Sequence, residues 1–215
     1  LQPMATIHVA GPDVRWCGNE AGQYRASEWS VVPGNQQDQD KIAEKSQQQA
    51  GDEFRQKPQQ PSDTDLGSRE KIRYANNLVW YPAEVNTSIR PGWFYHADQD
   101  DAVRSLDSLL DIYFGSVGGN AMFLLNFPPD KRGLIHENDA QRAKELGDVL
   151  RKTFAKDLLQ GAQVKAIGNN PTAMLDNNES SYWAPKEGVE QVSIEFTLAK
   201  AQTFNVAMLQ EYVKE

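Results

Sequence analysis

Two carboxylates in this 215-residue chain stand among aromatic residues on stretches rich in glycine and proline. In "VRWCGNEAGQYRASEW", residues 14–29, Glu20 lies between Gly18 and Gly22, with Trp16 before it and Trp29 after it. In "VWYPAEVNTSIRPGWFYH", residues 79–96, Glu84 follows Trp80 and precedes Arg90, Trp93 and Tyr95. Such surfaces suit sugars, whose C–H faces pack on aromatic rings while their hydroxyls need carboxylate, Arg and Asn partners. Glycoside hydrolysis also needs a carboxylic acid that is still protonated near neutral pH, and apolar neighbours favour that form by desolvating the charge. The plainer alternatives stay open at this point: a solvated or capping acid, tryptophans as packing anchors, and Arg15 and Arg90 as loop braces.

Other chemistries find no support. His8, His96 and His136 are far apart in sequence, and with the single cysteine, Cys17, they give no metal-ligand spacing, so no metal is expected. Cys17 reads as a small buried hydrophobe, and one cysteine excludes an internal disulfide. No G-x-S-x-G elbow occurs, and the Gly118-Gly119 pair precedes a strand where a phosphate-binding loop would follow one, so no nucleotide or other cofactor is expected. A formal charge of −8 without a basic face argues against nucleic acid as a partner. Apolar runs such as "AMFLLNF" are far shorter than the roughly 20 residues that span a bilayer, so membrane insertion is not expected.

The elements that would carry the two carboxylates repeat. "MATIHV", residues 4–9, reads as a strand, which puts Glu20 on the loop after it. A polar stretch over 35–69 follows, with a solvated helix expected over 40–54 and stopped by Pro58 and Pro61. A second strand at 77–80 leads into a long loop holding Glu84, Arg90 and Trp93, then a helix. Its N-cap is expected at Asp98 or Asp100, and its face is marked by Val103, Leu106, Leu109, Leu110 and Tyr113. A third strand, Met122–Asn126, precedes another long loop and an amphipathic helix from about 139 to 158, marked by Ala143, Leu146, Val149, Leu150 and Phe154. Three strand–loop–helix units predict a parallel α/β arrangement over residues 1–160, with function on the loops after the strands. From residue 161 to 215 the sequence alternates apolar and polar residues between turn signals, which predicts antiparallel β structure.

Three stretches in order, "GPDVRWCGNEAG" with "SEWSVVP" after it, "VWYPAEVNTSIRPGWFYH" and "SVGGNAMFLLNFPPDKRGLI", resemble the α-L-fucosidases of glycoside hydrolase family 29. The wording is closest to the branch acting on α-1,3- and α-1,4-linked fucose. The resemblance runs from the first residue to about 159. Beyond it, "LDNNESSYWAP" and "FNVAMLQEYV" resemble more loosely the β-sandwich, galactose-binding-like, that follows the catalytic barrel in that family.

The resemblance implies the C-terminal part of a (β/α)₈-like barrel over 1–160, then an incomplete β-sandwich over 161–215. It implies a retaining glycosidase releasing L-fucose from fucosylated glycans without a cofactor, in a periplasmic or extracellular setting. The general acid/base of that branch sits in a W-x-G-N-E motif, which falls on Glu20; Glu84 is the alternative, and otherwise a substrate contact. Trp93 would stack near the fucose ring, with Trp16, Trp80 and Arg90 shaping the pocket. The family's nucleophilic aspartate lies in a W-F-D-G-type motif upstream of W-x-G-N-E, and no such motif occurs among these residues. The resemblance therefore implies a fragment truncated at both ends, inactive and poorly stable alone. A non-catalytic carbohydrate-binding or structural role remains as the alternative.

Overall fold

The computed structural model describes residues 2, 4–8, 13–26, 28–33, 68–73 and 75–212. The helix expected over 40–54 lies outside them. The chain divides into two units, Leu1–Gly147 and Asp148–Glu215.

A three-stranded parallel sheet organises the first unit. Its strands are β1 (Arg15–Trp16), β4 (Ala83–Ser88) and β5 (Met122–Asn126), in the order β1-β4-β5. Trp16 is opposite Glu84, and Glu84 to Ser88 run beside Met122 to Asn126. Every residue of β4 is buried, as befits the middle strand of a parallel sheet. Successive side chains point to opposite faces. Val85 joins Cys17 and Ile112 in the core, with Tyr24, Ala121 and Phe123 packed against them, so Glu84, Asn86 and Ser88 line the other face.

The helix behind that core is α2 (Leu106–Ser116), which buries Leu109, Ile112 and Ser116. It begins at Ser105, whose side chain accepts from the Ser108 N–H at 3.2 Å. Neither Asp98 nor Asp100 caps it: Ala97–Gln99 is a separate 3₁₀ turn, and Val103 precedes the helix. A second, antiparallel ribbon pairs β2 (Val31–Pro33) with β3 (Leu78–Trp80), and a short helix, α1 (Arg69–Ile72), comes before β3. After β5 the chain enters α3 (Glu137–Thr153), which starts two residues before the expected boundary and ends five before it.

Two expectations need correction. Among the described residues of "MATIHV" there is no strand, only a single parallel bridge from His8 to Val14; the first strand of the sheet is Arg15–Trp16. The first part of the long loop expected after Trp80 is instead the strand β4. The run "AEVNTS" lacks the apolar stripe of a core strand because one of its faces carries Glu84, Asn86 and Ser88.

In the second unit, β6 (Gln163–Ala166) and β7 (Ile194–Thr197) form an antiparallel pair, and Pro171–Leu175 is a 3₁₀ turn. Tyr182 and Tyr212 stack with centroids 4.3 Å apart. Among the described residues no helix is long and apolar enough to cross a membrane.

Candidate active site

The loop bearing Glu20 leaves β1 and returns to the same neighbouring strand. The Cys17 N–H donates to Glu84 O at 3.0 Å, and the Gly22 N–H donates to Asn86 O at 3.0 Å. Between those anchors Asn19 shapes the turn from within. Its Oδ1 accepts from the N–H groups of Ala21 and Gln23, both at 3.0 Å, and its Nδ2 donates to Gln23 O at 3.1 Å. Trp16 Nε1 donates to Asn19 O at 3.0 Å. Gly22 needs its glycine: φ is +78°, and a Cβ there would come within 2.8 Å of the Ile112 side chain. The side chain of Glu20 is left exposed at the tip.

Glu20 is met by the loop after β4. Trp93 Nε1 donates to Glu20 Oε2 at 2.9 Å across a separation of 73 residues. That contact joins the two aromatic-flanked stretches at one end of the parallel sheet, beyond the C-terminal end of β4, where such sheets carry their ligands.

Behind Trp93, the loop is tied down by charge. Arg90 is withdrawn from solvent; its Nε donates to Asp139 Oδ2 at 2.8 Å and its Nη1 to Asp100 Oδ1 at 3.0 Å and to His96 O at 3.3 Å. The Tyr95 ring covers the guanidinium at 4.8 Å, and the Tyr95 hydroxyl donates to Asp100 Oδ2 at 3.3 Å. Hydrogen bonds to the two aspartates, that to Asp139 foremost, push the Arg90 pKa upward. Held through Nε and Nη1, the guanidinium braces the 90–100 loop, while its buried Nη2 has no hydrogen-bond partner.

Glu84 occupies a different place. Only 5% exposed, it sits near the N-terminal end of β4, where its Oε1 accepts from Asn86 Nδ2 at 3.0 Å and lies 3.2 Å from His8 Nε2. Ser88, at the strand's other end, lies four positions on, roughly 13 Å along the chain. Trp80 is half exposed on the β2–β3 ribbon, opposite Val31. Trp29 contributes its carbonyl, which accepts from Arg15 Nη2 at 2.7 Å.

The base of the Glu20 loop is held by a buried three-residue cluster. Glu28 accepts from Arg15 Nη2 at 2.5 Å and from Arg25 Nη1 at 2.8 Å, and Arg15 Nε donates to Tyr81 O at 2.9 Å. Burial pushes the Cys17 thiol up and away from thiolate chemistry. Among the described residues, no group of three His, Cys, Asp or Glu side chains is arranged to hold a metal ion.

Sequence reasoning missed Asn126, Asp139, Ser88 and the shaping role of Asn19. Asn126 had a signal, a lone amide closing the apolar run "MFLL". The Arg90–Asp139 pair had none, since 49 residues separate its partners.

A family model described as alpha-L-fucosidase matches residues 7–153. The chain is 34% identical over 222 residues to alpha-L-fucosidase 1 of Arabidopsis thaliana, a match covering 98% of this chain and 38% of that protein. It is similar to a solved protein of Bacteroides thetaiotaomicron provisionally named an alpha-L-fucosidase, at 37% identity and a TM-score of 0.68, covering 93% of this chain and 40% of that one. It is also similar to a family 29 fucosidase of Ruminococcus gnavus in complex with fucose, at 26% identity and a TM-score of 0.64, covering 88% of this chain and 35% of that one. The chain thus spans well under half the length of these relatives.

Proposed function

The chain belongs to the α-L-fucosidase family, glycoside hydrolase family 29, and on that premise we propose that it carries the general acid/base of a retaining α-L-fucosidase, Glu20, on an L-fucose pocket. Protonated Glu20 gives its proton to the glycosidic oxygen as the bond to the anomeric carbon breaks and a carboxylate nucleophile bonds to that carbon. The Glu20 carboxylate then takes a proton from water as the water oxygen attacks the fucosyl ester, which frees fucose and restores both carboxyl groups. Retention needs the two carboxyls about 5–5.5 Å apart. The nucleophile is assigned to the family's upstream aspartate, which these residues do not supply.

The observation that carries this reading is the hydrogen bond from Trp93 to Glu20, at 2.9 Å. It gives an exposed acid a fixed direction at the ligand-binding end of a parallel sheet, and it leaves the other oxygen free to hold the transferable proton. Glu84, buried and engaged by Asn86 and His8, is assigned to bracing the sheet rather than to proton transfer. Trp93 and Trp16 form the aromatic wall of the pocket, and Arg90 holds its outer loop. Trp80, half exposed on the β2–β3 ribbon, is assigned to shaping the pocket as a substrate contact. The sheet belongs to a (β/α)₈-like barrel over 1–160, with residues 161–215 part of a β-sandwich. The substrates are extracellular or periplasmic glycans with α-1,3- or α-1,4-linked fucose, as in the branch whose motif these residues resemble.

The test is Glu20→Gln in the full-length protein containing these residues. Turnover of fucosides with poor leaving groups, which need protonation, should fall about 10²- to 10⁴-fold. A dinitrophenyl fucoside, whose leaving group departs unprotonated, should lose far less in the fucosylation step, and azide should intercept the accumulated ester. Equal losses on both substrates would remove Glu20 from the role. Sugar binding that survives Glu20→Gln in a protein that never hydrolyses a fucoside would favour a non-catalytic binding module.

A further inference from the structure

We infer that Asn126 is a positioning residue for proton transfer, acting on Glu20 through Trp93. The inference rests on the acid/base reading of Glu20.

Asn126 closes β5 and reaches across to the end of β4. Its main-chain oxygen accepts from the Ile89 N–H at 3.0 Å. Its side-chain Nδ2 donates twice, to Ser88 Oγ at 3.1 Å and to Trp93 O at 3.1 Å. Ser88 Oγ also accepts from the Arg90 N–H, at 3.3 Å. One amide therefore gathers the last residue of β4 and the main chain of the loop that follows. The indole of the residue so held then donates to Glu20 Oε2 at 2.9 Å. Three segments, from β1, β4 and β5, converge through two consecutive hydrogen bonds.

The chemistry gives this relay a direction. An indole N–H can only donate, so the oxygen it meets must act as an acceptor. Oε2 can accept in both the acid and the carboxylate forms of Glu20, so the contact persists through both halves of the reaction. It places the acid proton on Oε1, because turning the carboxyl over would set O–H against N–H. Glu20 is exposed and has three side-chain torsions, so little else among the described residues restricts it. A displacement of about 1 Å at such a site costs on the order of 10²-fold in rate. Only a donor at position 126 can hold Trp93 O; an aspartate has the same outline and cannot donate at neutral pH.

The experiment compares Asn126→Asp, Asn126→Ala and Trp93→Phe with Glu20→Gln in the full-length protein, each on a fucoside with a sugar leaving group and on a dinitrophenyl fucoside. Trp93→Phe keeps the aromatic face and removes the donor. Each of the three should lower kcat/KM for the sugar leaving group about 10- to 100-fold, with only a few-fold change on the activated substrate. The double variant Asn126→Ala/Trp93→Phe should be no worse than Trp93→Phe alone. Equal losses on the two substrates, or additive losses in the double variant, would overturn the relay and leave Asn126 a structural residue. If Asn126→Ala does not fold, Asn126→Asp and Trp93→Phe decide the same question. If Glu20→Gln itself shows no leaving-group dependence, it is the acid/base reading that fails, and the relay with it; a selective Glu20→Gln beside an unselective Trp93→Phe rejects the relay alone.

Discussion

Arg90 and Asp139 form an ion pair from which water is excluded on both sides, Nε to Oδ2 at 2.8 Å, between the end of β4 and the third residue of α3. Removing Arg90 strands the Asp139 charge in a place without solvent, whereas removing Asp139 leaves Arg90 its second partner, Asp100, at 3.0 Å. Arg90→Met should destabilise the fold by about 3–5 kcal/mol and Asp139→Asn by less, while the double replacement should recover much of the Arg90→Met loss. Denaturant unfolding of the four proteins checks the cycle. Equal, additive losses would show that the two side chains do not act as a pair.

Gly115 sits on the face of α2 against which the Tyr24 ring lies. A Cβ at 115 would overlap the ring itself, which is also tethered by a 3.2 Å hydrogen bond from the Tyr24 hydroxyl to Asp111. Helix propensity alone favours Gly115→Ala by about 1 kcal/mol. The overlap outweighs it: overpacking of this kind costs about 1–3 kcal/mol. The midpoint of thermal unfolding should fall in Gly115→Ala, and the same substitution should cost less in a Tyr24→Ala background. A rise in the single variant would mean that the ring yields freely.

Asp130 closes the turn that leads into α3. Its carboxylate accepts from Arg132 Nε at 2.8 Å and from the N–H groups of Arg132 at 2.7 Å and Leu134 at 3.4 Å, and these, the guanidinium foremost, hold it below its ordinary value of 3.8. A depressed folded-state pKa adds stability above the unfolded value and loses it as pH falls through the folded one. The stability gap between the wild type and Asp130→Asn should therefore be widest near neutral pH and close below about pH 4. Unfolding curves at a series of pH values read it directly, and a gap independent of pH would contradict the assignment.

Elements whose burial is one-sided were legible in the sequence, and those buried on both sides were not. Met122–Asn126 announces itself as an apolar run and α2 by its helical period, although of the face expected from Val103, Leu106, Leu109, Leu110 and Tyr113 only Leu109 is among the residues the helix buries, with Ile112 and Ser116. β4 was read as a loop because its second face carries Glu84, Asn86 and Ser88, which replace the expected apolar residues with hydrogen-bonding ones. The start of α2 was misjudged because two aspartates precede the serine that caps it. Glu20 and Trp93 were singled out separately by their aromatic surroundings and by resemblance. Their direct contact depends on a register between strands that no local spacing encodes.

The Glu20 turn begins and ends on one strand, since both the Cys17 and Gly22 N–H groups bond to carbonyls of β4. Chain entropy is nearly indifferent to the length of such an excursion, because each doubling adds only about 0.6 kcal/mol to its closure. Evolution could therefore lengthen it almost freely as far as folding is concerned. The reach from Trp93 allows no such latitude, so the turn's short length is a constraint imposed by chemistry on a segment that stability alone would leave to drift.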